Sequence, residues 1–355
     1  MTNHNSVLEV NLKNLQYNYK KLSRLANRSI CAATIKSDAY GLGVLDVFDA
    51  LYKVSCRHFF VATTQEALEI RKKRSTANIY VLNGLESNNI SVFSKHKIIP
   101  ILNDIKEYNF ILKNLAKFKK LKFGLHVDTG MNRLGINFKE FLELKFKNNI
   151  HILISHLASS DESKNYYNVI QNTKFAKAID KKLNFKIKSL SNSFALILGK
   201  NYQYDLVRPG ISLYGGHHNT KMKQIIKPVV KLKAKILQIK EINKNEYIGY
   251  NQTYITKKKL KVAVIGIGYG DGISRLLSNK GRVFFKNKTF KILGRISMDT
   301  TTIDISQYDG HINVGDYIEL INYKNGVDQM ASQCKTISHE ILTSISKRVH
   351  RIYIK

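Results

Sequence analysis

Eight short apolar runs recur at intervals of a few tens of residues through the first part of this chain, and that rhythm constrains its fold more than any other feature. The runs are SICAATIK (29–36), HFFVAT (58–63), NIYVLNG (78–84), KIIPIL (97–102), KFGLHVD (122–128), NIHILISHL (149–157), KIKSLSN (186–192) and YDLVRP (204–209). Segments with apolar residues at helical spacing separate most of them, among them TQEALEIRKKR and NVIQNTKFAKAIDKKL. A continuous apolar run suits a strand buried on both faces, as in a parallel sheet covered by helices. Eight such strands, most followed by a helix, within about 220 residues predict a parallel (β/α)8 barrel of the TIM type. A strand-like VLEVNL and a helix over roughly Lys13 to Leu25 come before them.

From Lys227 the texture changes. PVVKLKAKILQIKEI, KLKVAVIGIGY, GRVFFKN, KTFKILGRISMDTTTIDI and DYIELIN follow one another closely, several of them parted by glycine-containing turns. One clear helix follows, near Asp328 to Leu342. This pattern predicts a second, mainly antiparallel β domain. The transition falls between Tyr214 and Pro228, which places the domains at 1–225 and 226–355.

Several function classes drop out at this stage. Hydrophobic residues make up 43% of the 355, enough for a substantial core and too many for a disordered chain. No segment approaches the roughly 20 apolar residues that span a bilayer, so no membrane association is expected. The opening MTNHNSVLEVNLKNL lacks a basic stretch followed by an apolar one, so the expected location is the cytoplasm. Cys31, Cys56 and Cys334 are scattered and odd in number, which suits a reducing compartment and provides neither a disulfide framework nor a zinc pattern. The formal charge of +32 would favour a polyanion through counterion release. Yet the lysines are spread along the chain, as in KNLAKFKKLK (113–122), KPVVKLKAK (227–235) and KKKLK (257–261). No run lies in a recognisable nucleic-acid module, so no nucleic-acid partner is expected.

In a barrel of this kind the chemistry gathers at the C-terminal ends of the strands. Lys36 closes ICAATIK at such an end. Partial desolvation in the barrel mouth lowers the pKa of its ammonium, which is what an amine needs to condense with an aldehyde. A solvated strand-end lysine is the plainer reading of Lys36 alone. The residues around it decide between the two.

AATIKSDAYGLG (32–43) resembles the pyridoxal-phosphate lysine motif of the alanine racemase family, and the resemblance continues in order along nearly the whole chain. DTGMNRLG (128–135), SHLASSDE (155–162), LSNS (190–193) and VRPGISLYG (207–215) resemble the family's barrel segments. IGYNQTY (248–254), IGIGYGDG (265–272), GRISMD (294–299) and RVHR (348–351) resemble those of its β domain. The resemblance implies a fold-type III enzyme that interconverts L-alanine and D-alanine on pyridoxal 5'-phosphate, supplying D-alanine for peptidoglycan. It implies Lys36 as the cofactor lysine and base for one face of Cα, with Tyr250 as the base for the other. Tyr40, Ser193, Gly210 and Ile211 would hold the phosphate, as suits loops after the last two barrel strands. Arg208 would face the pyridine nitrogen, discouraging its protonation and favouring simple reprotonation over transamination. His156 would connect Arg208 to the tyrosine. Arg133 and the backbone N–H of Met298 would bind the substrate carboxylate, and Asp161, Tyr269 and Arg295 would line the entrance. Tyr250 would reach the barrel mouth of a second subunit, which implies a homodimer with shared sites.

Four positions depart from the family's pattern. His126 stands where many members place a lysine, Lys347 where many place a tyrosine, and His350 replaces a proline. Asn251 follows Tyr250 in place of glycine. A broader-specificity racemase or a lyase of the same fold is the nearest alternative, because discriminating one methylene supplies only about 1–3 kcal/mol. A non-catalytic pyridoxal-phosphate carrier would resemble the barrel alone, and the β domain with Tyr250 and Met298 argues against it.

Overall fold

The eight apolar runs fold as eight parallel strands. In the computed structural model, which describes residues 4–73, 75–85, 90–114, 116–118, 121–144, 150–180 and 185–355, they begin with Ile30–Cys31 and Ala33–Thr34, a single strand interrupted at Ala32. His58–Val61, Asn78–Val81, Ile98–Leu102, Gly124–Asp128, Ile150–Ile154, Phe185–Ser189 and Leu206–Val207 follow. From Ala33–Thr34 through Phe185–Ser189, each strand pairs in parallel with the next in this order. The last strand pairs in parallel with Ile30–Cys31. Asp205 N–H to Lys188 O (3.0 Å) and Arg208 N–H to Ser191 O (2.9 Å) join it to the seventh, which closes the barrel. Side chains fill the interior, with the Phe60 and Tyr80 rings stacked at 4.4 Å. Below them Tyr80 Oη lies 2.9 Å from His58 Nδ1 and 3.3 Å from His151 Nε2. Burial pulls both imidazoles down to about 4, so they sit there neutral.

The second sheet is mainly antiparallel, as the alternating pattern of Val230–Ile242 requires. That strand pairs with Tyr317–Ile321 along its first half and with Leu260–Ile265 along its second. The ring runs on through Thr301–Asp304, Lys288–Leu293 and Arg282–Phe285 to Tyr317–Ile321, so this sheet also closes. The opening strand Ser6–Asn11 belongs to this sheet and not to the parallel barrel. It lies antiparallel to Val230–Ile242, in the register Val10↔Val230, and parallel to the last strand, His350–Ile354. Asn11 then caps the helix Leu12–Leu25, its side chain accepting from Asn14 N–H at 2.9 Å. The helix expected near Asp328–Leu342 is two short ones, Val327–Gln333 and Ser338–Ser344. Lys335, at φ 53°, turns the chain between them. No described helix is long and apolar enough to cross a membrane.

Candidate active site

The C-terminal ends of the barrel strands open into a cavity of about 700 Å³. Lys36, Tyr40, Arg133, His156, Asp161, Ser193, Arg208, Gly210 and Ile211, nine of the residues singled out from sequence, line it together. They arrive from five strand ends and the loops after them, so the fold itself gathers them.

Lys36 begins a turn of unusual backbone. Ser37, Asp38, Ala39 and Tyr40 all lie in the left-handed helical region, with φ between 53° and 58°. Glu66 holds the start of this turn: Oε1 accepts from Ser37 N–H (2.5 Å) and Oε2 from Ala62 N–H (2.7 Å). Asp38 Oδ1 accepts from Val44 N–H at 2.7 Å and fixes its far end. Gly41, at φ 80°, passes so near the helix Ser338–Ser344 that a Cβ would lie 2.6 Å from Leu342 O. Burial lowers the Lys36 pKa, the Arg133 guanidinium lowers it further, and Glu66 partly opposes them. The amine is therefore available at a lower pH than an ordinary lysine's.

The turn's own Tyr40 joins the loops after the last two strands in a cradle of neutral donors. Ser193 Oγ accepts from Gly210 N–H (2.9 Å) and Ser212 N–H (3.3 Å), which leaves its own proton to donate. Ile211 N–H and Tyr40 Oη meet no partner among the described residues. A Cβ on Gly210 would come within 2.3 Å of Tyr40 Oη, so the glycine keeps this space open. Such a set suits a phosphate.

Arg208 is buried at the floor, donating to Ser189 O (2.8 Å), Ser189 Oγ and Ser155 O. Burial pulls it down to about 9, and it stays charged at neutral pH. These bonds use Nη1 and Nη2 and leave Nε–H and one Nη2–H without an acceptor among the described residues, and no hydrogen bond joins Arg208 to His156. The two meet through charge: burial, then Arg208, holds His156 far below its usual value and neutral. Asp128 Oδ1 accepts from Gly130, Met131 and Asn132 N–H (2.8, 2.9 and 3.2 Å), shaping the loop that carries Arg133 over the mouth.

His126 also lines the cavity, and its tautomer is fixed. Asn103 spends its amide protons on Leu82 O (2.9 Å) and Ile101 O (3.1 Å), so its Oδ1, 2.9 Å from His126 Nδ1, can only accept. Nδ1 therefore carries the proton and Nε2 keeps a lone pair. Burial, reinforced by Arg208, pulls this imidazole down to about 3.

Four of the sequence-selected residues lie elsewhere. Tyr250 (64% exposed), Met298 (53%) and Tyr269 (42%) stand out on the second domain, with Arg295 half-buried beside them. None lines this chain's cavity. Conversely, His218 and His339 line it and were not read from the sequence, because neither lies in a recognised motif or at a strand end.

A closed parallel barrel with an amine-bearing turn facing an anion cradle, joined to an antiparallel β domain, defines the fold-type III class of pyridoxal-phosphate enzymes. Family models described as the N-terminal and C-terminal domains of alanine racemase match residues 10–218 and 229–353. This chain belongs to the alanine racemase family. It is 36% identical over 370 residues to the alanine racemase of Brucella abortus, covering 98% of this chain and 93% of that one. With the alanine racemase of Rickettsia akari it shares 37% over 357 residues, covering 98% and 99%. The crystal structure of alanine racemase from Bartonella henselae with covalently bound pyridoxal phosphate is similar at a TM-score of 0.94 and 34% identity, covering 99% of each chain.

Proposed function

We propose that this chain interconverts L-alanine and D-alanine on pyridoxal phosphate, with Lys36 and Tyr250 as the bases for opposite faces of Cα. The observation that carries the reading is the meeting, in one cavity, of the Lys36 amine, the cradle of Tyr40, Ser193, Gly210 and Ile211, and Arg208. The open space at Gly210 and the free donors around it fit the phosphate of that cofactor, and Arg208 suits its ring nitrogen. When bound, pyridoxal phosphate supplies an aldehyde for the amine and an electron sink that acidifies Cα. Lys36 holds or releases a proton on one face, its lowered pKa keeping the free amine accessible. Arg133 orients the substrate carboxylate, joined by Met298 N–H. Burial, reinforced by the charged Arg208, keeps His156 neutral behind the site. Asp161, Tyr269 and Arg295 line the entrance.

Tyr250 cannot act on its own chain's cavity from its exposed turn, nor can Met298, Tyr269 and Arg295, so the reading requires a homodimer in which each subunit lends these four residues to the other. The domains are 1–225 and 226–355, with the opening strand Ser6–Asn11 of the first lending itself to the sheet of the second. The enzyme works in the cytoplasm and supplies D-alanine for peptidoglycan. The test is chiral analysis of L-alanine incubated with the protein and pyridoxal phosphate. Approach to a near-equal isomer mixture, absent in Lys36→Ala, is expected; a ratio that never moves despite bound cofactor would refute the racemase reading.

A further inference from the structure

The cradle for the phosphate consists of neutral donors, while the group it would hold is a dianion. Among the described residues that line the cavity, the Lys and Arg side chains are Lys36, Arg133 and Arg208. Lys36 is the amine that condenses with the aldehyde, Arg133 hangs over the mouth, and Arg208 is bound to Ser189 and Ser155. In the reading above each of the three serves a group other than the phosphate.

Two histidines flank the cradle on its remaining sides. His339, from the helix Ser338–Ser344, faces the ring of Tyr40 with centroids 5.8 Å apart. His218, from the loop after the last barrel strand, meets Phe194 edge-on at 5.6 Å, and Phe194 follows Ser193 of the cradle. Both rings line the cavity. No ring nitrogen of either has a hydrogen-bond partner among the described residues, and His339 Nδ1 is buried in that state. A buried polar nitrogen with no partner is costly, and a ligand that supplies one removes the cost.

The two are fixed relative to each other across the domain junction. Asp328 accepts the backbone N–H of His217 through Oδ2 (3.1 Å) and that of His218 through Oδ1 (3.3 Å). Its Oδ1 also accepts the Ser338 hydroxyl at 2.8 Å, next to His339. One carboxylate thus positions a histidine from each domain at the same end of the cavity.

We propose that His339, with His218 beside it, forms a second wall of the phosphate site and donates imidazole N–H bonds to the phosphate of pyridoxal phosphate. This rests on the cofactor reading above and deepens it. The wall closes the cradle from the β domain, so the phosphate is bound by both domains and holds them together.

The test is titration of the full-length cofactor-free protein with pyridoxal phosphate and, separately, with pyridoxal, which lacks the phosphate. Attachment to Lys36 is read by absorbance for the wild type, His339→Phe, His339→Gln and His218→Phe. His339→Phe keeps a ring against Tyr40 and should weaken pyridoxal phosphate roughly ten- to a hundredfold, the range for losing a bond to a charged group. Its affinity for pyridoxal should stay within about twofold, because the missing bond is to the phosphate. His339→Gln, which retains an N–H donor, should recover most of the loss, and His218→Phe should show the smaller loss of the more exposed partner. Unchanged affinity for pyridoxal phosphate in both phenylalanine variants, or equal weakening toward the two aldehydes, would overturn the proposal. A wild-type chain that attaches neither aldehyde would overturn the cofactor reading itself.

Discussion

At the scale of single residues, the working parts are charges held out of water beside other charges. Burial is the largest influence on the Lys36 amine and Arg133 the next, both lowering its pKa, while Glu66 opposes. The sign fixes a prediction. A neighbouring cation disfavours the ammonium, so Arg133→Met should raise the Lys36 pKa and leave less free amine at any pH below it. Burial remains, so the variant's value should still lie below the ordinary lysine value of 10.5. The rate of pyridoxal phosphate attachment against pH reads this directly: the midpoint should move upward in the variant. A midpoint that stays put or falls would show that Arg133 is not felt at Nζ. Lys36 and Arg208 were legible because each ends an apolar strand inside a recognisable string. Asn103, which fixes the His126 tautomer, was not, since a loop asparagine gives no sign of which distant imidazole it will meet.

At the scale of elements, the turn Ser37–Tyr40 is the least expected piece of backbone. Left-handed helical residues other than glycine cost about 1–2 kcal/mol each, and SDAY contains no glycine to announce the conformation. The strain persists because surrounding structure over-determines it. Much of that restraint comes from the far end of the chain: Arg351 donates to Gly41 O at 2.9 and 3.2 Å, and to Ile345, Ser346 and Val349 O. Tyr353 Oη adds a bond to Leu42 O at 3.0 Å. Arg351→Met would leave these carbonyls short of a donor and should lower stability by roughly 2–4 kcal/mol in urea unfolding. Attachment of pyridoxal phosphate should slow as well, because the turn carrying Lys36 loses its anchor. Full stability with unchanged attachment would mean that Glu66 and Asp38 suffice. The parallel strands were legible because strands covered on both faces read as unbroken apolar runs. The pairing of Ser6–Asn11 with His350–Ile354 was not, since it joins the two ends of the chain and no local pattern encodes it. Nor did the sequence between Val327 and Ser344 mark the break at Lys335, which has neither glycine nor proline.

At the scale of the whole molecule, the proposed site is divided. One chain's cavity holds the Lys36 amine and the cradle, while Tyr250, Tyr269 and Met298 stand exposed on its other domain. The family motifs marked both groups of residues, but no spacing along the string shows that the second group lies outside this chain's own cavity. Racemisation needs proton transfer on both faces of Cα, and a phenol with a pKa near 10 needs positive neighbours to act as a base. Arg208 and Arg133 line the cavity, which Tyr250 of the same chain does not. Tyr250→Phe should therefore keep cofactor binding while impairing abstraction from L-alanine far more than from D-alanine. Equal loss in both directions at the proton-transfer step would contradict that assignment. The division itself has a sharper consequence. Lys36→Ala and Tyr250→Phe proteins should each be nearly inactive alone. In a hybrid dimer, one site combines both substitutions and the other combines neither, so mixing the two proteins should restore activity. Random exchange of equal amounts makes half of the dimers hybrid, each with one intact site of two, so recovery should approach roughly a quarter of the wild-type rate. No recovery, with subunit exchange verified by mixing differently labelled copies, would place both bases in one chain's site and remove the need for a shared one.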